Sequence, residues 1–279
     1  MKWIGRRGSS NVDDRRRSGG GRIAMGGGIG SIVVIAIVWL LGGDPSQVLN
    51  QIQGPSGQQV TTTAAEDSMA QFVSVVLADT EEVWADIFSD YGNTYREPKM
   101  VLFRDAVQSA CGSASAASGP FYCSADESIY IDLSFCDDLR ERFGAPGDFA
   151  IAYVIAHEVG HHVQHLLGTL GEVQQQRSRS NEREGNRITV KLELQADYYA
   201  GVWAYHAQNT LKVVEQGDIA EALGAASAVG DDRLQMQTQG TIVPDAFTHG
   251  TSEQRMEWFK RGYQSGRLED GDTFSARGI

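Results

Sequence analysis

His157-Glu158-Val159-Gly160-His161 places two imidazoles four residues apart with a carboxylate between them, inside an apolar run that reads as helix. Residues four apart share a helix face, so His157 and His161 aim at a single point. Glu158 is turned away by about 100° and is positioned to reach a water at that point rather than to be a third ligand. A catalytic zinc takes three protein ligands and one water, whose pKa it lowers to about 7. A carboxylate beside it accepts the water's proton during attack and returns it to the leaving amine. The chemistry this spacing suits is hydrolysis. His165 lies two turns from His157, about 12 Å along the axis, too far to share one ion. His162 faces another side and reads as a surface or supporting residue.

A third ligand is needed, and Val190 to Gly201 offers Glu193 and Asp197, four apart on a second predicted helix. One carboxylate can bind the metal while the other holds a ligating imidazole by its free ring N–H. The alternative is an exposed acidic face, against which stands the crowding of the pair by Leu192, Leu194, Ala196 and Tyr199. The first helix starts at Gly147-Asp148, with Asp148 as its expected cap, and gains its apolar body from Phe149 to Ala156.

Towards the C-terminus, His249 stands just before a helix whose Thr251 and Gln254 form a capping-box pattern. His249 is the candidate for stabilising a tetrahedral oxyanion, with Tyr198 and Tyr199 as rivals. Alternatively, His249 and Arg255 tie the last helix to the core. The His157–His161 helix, the Glu193-to-Asp197 element and Phe247 to Arg255 together resemble the bacterial neutral zinc metallopeptidase family of YpfJ-like membrane proteins. Ser9 to Arg16 is similar to the N-terminal signature of that family. The Glu-x-x-x-Asp element is also similar to that of the gluzincin peptidases. The resemblance implies that His157, His161 and Glu193 bind Zn2+, that Glu158 is the general base, and that Asp197 orients a ligand.

The rest of the chain must position and deliver this site. Residues 1–22 are basic and rich in Gly and Ser, which predicts a disordered tail. The uncharged run 23–41 has the length of a membrane span, and Gly42-Gly43-Asp44-Pro45 after it is a poor cleavage site. The positive-inside bias then predicts a single-pass anchor in the inner membrane, with the tail cytoplasmic and everything after it extracytoplasmic. Residues 42–65 read as a flexible spacer, leaving 66–279 as the domain. Seven basic against two acidic residues precede Gly42, and seventeen against thirty-four follow it, so the outer domain is strongly acidic and nucleic acid is excluded as a partner.

Within the domain, apolar spacing predicts a helix from Glu66 that Tyr91-Gly92-Asn93 stops. Lys99 to Val107 reads as a strand and Ser109 to Pro120 as a loop. Phe121–Cys123 with Ser128–Asp132 reads as a hairpin that walls the cleft. Cys111 is expected to pair with Cys123, leaving Cys136 buried and free. Gly168 to Asn186 is polar and without period, a loop near the metal; Asp218 caps another helix; His206 reads as surface; and the tail after Gly266 frays. The fold class is mainly α with a small sheet (α+β), a zincin-like domain behind one transmembrane helix. The function is a membrane-anchored extracytoplasmic zinc peptidase acting on proteins or peptides. The rivals are an envelope protein with a structural zinc, closed by His249 as fourth ligand, and an amidase of cell-wall peptides. Oligomeric state is not legible.

Overall fold

The computed structural model describes residues 1–17, 61–276 and 279. The apolar run 23–41 and nearly all of the spacer lie outside the described residues. Among those described, no helix is long and apolar enough to cross a membrane.

Helix α1 (Ala64–Asp90) begins two residues earlier than expected because Thr63 and Glu66 close a capping box, each side chain accepting from the other's backbone N–H. It buries Phe72, Val73, Val76, Leu77, Trp84 and Ile87 in the core, and Gly92, at a φ of 70°, turns the chain away. The strand expected from Lys99 to Val107 is two strands. β2 (Lys99–Phe103) is followed by a turn in which Asp105, at a positive φ of 65°, directs the chain into β3 (Ala106–Ser109). The expected loop 109–120 holds β4 (Gly112–Ser115), antiparallel to β3, and a 3-10 turn (Ala116–Ser118). β5 (Phe121–Cys123) and β6 (Ser128–Asp132) form the expected hairpin, and Cys111 is disulfide-bonded to Cys123 while Cys136 is buried and free.

The main sheet corrects one expectation outright. Its order is β1-β2-β6-β5, and β1 (Val12–Asp14), parallel to β2, comes from the tail expected to be disordered. Composition misled here because the tail's charges have specific partners. Arg6 pairs with the buried Asp79, Arg16 bridges Asp14 and Asp67, and Ser9 and Asn11 both donate to Glu81. Trp3 packs edge-on to Phe72, and the Met1 side chain is in the core. The Ser9-to-Arg16 signature is therefore an edge strand with its fastenings.

α2 (Ser134–Glu141) carries Cys136 and leads to α3 (Asp148–Leu166), which bears His157, Glu158 and His161. The polar loop expected next contains α4 (Thr169–Arg177), which packs Leu170 and Val173 on Ile188 and Leu192, an apolar face too sparse to show a period. α5 (Glu182–Asn209), α6 (Asp218–Ala228), α7 (Asp231–Gln239), a 3-10 turn (Pro244–Ala246) and α8 (Ser252–Ser265) complete the chain. Asp148 and Asp218 are not caps. Gly147 and Gly217 occupy those positions, and both carboxylates hold the Met1 α-amino group, at 2.7 and 3.4 Å.

Candidate metal centre

α3 and α5 cross where Gly160 meets Ala196; a Cβ on Gly160 would lie 2.9 Å from the Ala196 carbonyl oxygen. This close crossing brings the predicted ligands together. His157 Nε2 is 3.2 Å from one Glu193 oxygen and His161 Nε2 is 3.5 Å from the other. One ligand atom from each residue lies within 4.8 Å of the others. A tetrahedral zinc with bonds of about 2.1 Å has ligand–ligand edges of about 3.4 Å, so the donor set and its spacing fit the ion.

The far side of each ring is also occupied. His157 Nδ1 is 2.8 Å from Asp197, a fully buried carboxylate that accepts from Arg255 Nε at 2.8 Å and from the Tyr153 hydroxyl. A carboxylate only accepts, so Nδ1 carries the hydrogen and Nε2 is directed at the metal point. His161 Nδ1 meets Gln164 Oε1 at 2.8 Å. Burial opposes charge on Asp197, yet Arg255 and His157 outweigh it and hold its pKa at about 2. Burial likewise opposes charge on His157, but Asp197 and Glu193 raise its pKa to about 10. A proton drawn onto these rings is what an arriving cation displaces. Glu158, which lines the same cleft, is raised by burial, with His157 and His161 opposing.

The cleft is about 580 Å³. The metal group and Glu158 line it, Ala116–Tyr122 walls it, and Phe135, Phe143 and Leu234 add apolar surface. The expected hairpin wall is thus in place: β5, one of the two edge strands among the described residues, borders the cleft. His249 also lines the cleft, half exposed. Its Nδ1 is 3.2 Å from Asp231 Oδ1, while Asp231 Oδ2 accepts the N–H groups of Thr248, His249 and Gly250 at 2.7, 2.6 and 3.1 Å.

The rivals to His249 are elsewhere: Tyr198 donates to the Arg267 carbonyl and Tyr199 packs on Trp84. His162 is not a surface residue. It is fully buried, bonded to the Tyr122 hydroxyl and the Arg96 carbonyl, and ties α3 to β5. His165 turns to Glu127, and His206 reaches the Gly266 carbonyl. Tyr153, Gln164 and Asp231 escaped sequence reading, whereas Arg255 ties the last helix to the core as one of the two readings had it, through Asp197 and Tyr153. Tyr153, four residues before His157, and Gln164, three after His161, stood on the right faces to be found.

Two histidines and a glutamate from crossing helices, with a spare carboxylate in an open cleft, define a candidate one-metal centre. Comparison with known sequences agrees. The family model described as "putative neutral zinc metallopeptidase" matches residues 1–274, and the chain belongs to this family. Its relatives include the uncharacterized protein YpfJ of Escherichia coli, 48% identical over 98% of this chain and 99% of its own. The uncharacterized protein Mb2605 of Mycobacterium bovis is 42% identical over 85% of each chain. No solved structure gives a significant match.

Proposed function

We propose that this protein is a zinc-dependent peptidase with a zincin-like site, acting on proteins or peptides. The observation that carries the reading is the convergence of His157, His161 and Glu193 at an open cleft that Glu158 also lines. A structural staple calls for four protein ligands with His249 as the fourth. His249 is instead outside the ligand group, engaged by Asp231 and half exposed.

The bound ion supplies Lewis acidity to a water and a carbonyl at one point. Glu158 takes the proton from the attacking water and delivers it to the leaving nitrogen. His249, steadied by Asp231, donates to the oxyanion from the rim. The edge of β5, unpaired among the described residues, offers backbone pairing to an extended peptide. The test is full-length protein in detergent, wild type beside Glu158→Gln, assayed for zinc content and for cleavage of unfolded proteins and of cell-wall and ordinary peptides. One zinc in each and cleavage by the wild type alone is expected. Zinc in each and cleavage by neither overturns the peptidase in favour of the staple.

The second part of the proposal is location: the run 23–41 attaches the chain to the inner membrane, with the domain extracytoplasmic. Strand β1 changes how. Residues 12–14 share a sheet with 99–103, so both face one compartment wherever this fold is assembled. That pairing and a single crossing with the tail in the cytoplasm are alternatives, which labelling on the two sides of the run separates.

A further inference from the structure

Two buried glutamines link α3 to the C-terminal segment, and carbonyl groups dictate which way each one points. Gln195 Nε2 donates to the Gly271 carbonyl at 2.8 Å. A carbonyl only accepts, so the amide nitrogen of Gln195 faces Gly271 and its oxygen faces Gln164. Gln164 Nε2 then donates both its hydrogens, to the Leu192 carbonyl at 2.7 Å and to Gln195 Oε1 at 3.0 Å. Its oxygen is left facing His161 Nδ1 at 2.8 Å. Glu193 Oε1, also an acceptor, lies 3.5 Å from Nε2, so the neutral ring has one hydrogen for two acceptors; the much nearer Gln164 oxygen takes it on Nδ1, which leaves the lone pair on Nε2.

The Gly271 end of this chain is itself fastened. Tyr198 donates to the Arg267 carbonyl at 2.8 Å, the buried Thr273 hydroxyl donates to the Lys191 carbonyl at 2.6 Å, and Lys191 Nζ donates to the Phe274 carbonyl at 3.0 Å. A Cβ on Gly271 would lie 2.7 Å from the Tyr198 ring, so the backbone lies flat on α5. The segment expected to fray is a strap along α5. It borders a separate cavity of about 710 Å³ whose lining includes none of the three ligands.

We propose that Gln164 and Gln195, anchored on the strap's Gly271 carbonyl, are positioning residues that place the ring hydrogen of His161 on Nδ1 and hold its Nε2 for the metal. The claim rests on the metal reading above. Such outer hydrogen bonds are worth about ten- to a hundredfold in metal affinity.

The test uses full-length protein with ¹⁵N-labelled histidine. In metal-free samples at alkaline pH, nitrogen chemical shifts report which ring nitrogen of His161 carries the hydrogen. Chelator competition gives the zinc dissociation constant. Wild type is expected to hold the hydrogen on Nδ1. Gln195→Met and Gln164→Leu are expected to lose that preference and to bind zinc about ten- to a hundredfold more weakly. Gln164→Glu, whose carboxylate still accepts from Nδ1, is expected to restore both relative to Gln164→Leu. A folded Gln195→Met with wild-type ring state and zinc affinity overturns the relay. If Gln195→Met does not fold, indistinguishable Gln164→Leu and Gln164→Glu proteins overturn it instead. A wild type that binds no zinc removes the metal reading, while the ring measurement, made without metal, still decides the relay.

Discussion

Glu158 and Asp197 are both buried carboxylates of one site, and their surroundings push them in opposite directions. Burial dominates at Glu158, against which the His157 and His161 rings and, more weakly, Arg255 act without a direct ion pair. Asp197 pairs directly with Arg255, at 2.8 Å. One carboxyl is thereby suited to take a proton and the other to keep its charge. Glu158→Gln should keep its zinc and lose about 10²- to 10⁴-fold in cleavage rate, read from single-turnover assays. Asp197 has a folded-state pKa below its ordinary 3.8, at about 2. Its contribution to stability is therefore present above about pH 4 and lost as pH falls towards 2, about 2 kcal/mol in all. Asp197→Asn should flatten that part of the stability profile in denaturant titrations. At neutral pH it should cost about 3–5 kcal/mol, because Arg255 stays buried without its partner.

Among the elements, the α3–α5 crossing is the narrowest tolerance in the site. Gly160→Ala puts a methyl against the Ala196 backbone, where no flexible side chain is available to move aside. It should cost about 1–3 kcal/mol and, by separating the two histidines from Glu193, weaken zinc binding in the same chelator competition. Strand β1 is the other exposed dependency. Deleting residues 1–17 unpairs the edge of β2 and leaves Asp79, already raised to about 6 by burial against Arg6, without a cation. We expect a lower melting temperature, from a loss of at least about 3 kcal/mol, and self-association through the opened edge. A fragment starting at the spacer is for this reason a poor substitute for the whole chain.

At the scale of the molecule, the shared sheet makes topology measurable. Cysteines placed at the exposed positions Ser10 and Ser89 should react alike with a membrane-impermeant thiol reagent in intact spheroplasts. Labelling of one and not the other would restore the single crossing and dismiss the β1 pairing. The Cys111–Cys123 bridge fits an oxidising compartment. Reducing it should cost about 3 kcal/mol for a loop of this length, seen as a lower denaturant midpoint, with Cys136 still protected in the folded protein.

By itself, the sequence determined what obeys a short-range rule. The i, i+4 pairs His157/His161 and Glu193/Asp197 follow from helix geometry. So do the apolar faces of α1, α3 and α5, the Thr251–Gln254 capping box and the β5–β6 hairpin. Tertiary structure decided whatever depends on partners far along the chain. Arg6 and Arg16 look like a solvated tail until Asp79 and Asp67 are brought to them. Gly271 looks like a fraying end until Gln195 meets its carbonyl, and Asp231 looks like an ordinary first-turn acid until the His249 loop closes on it. Charge, polarity and glycine content record a residue's own preference, whereas burial and pairing come from residues tens or hundreds of positions away.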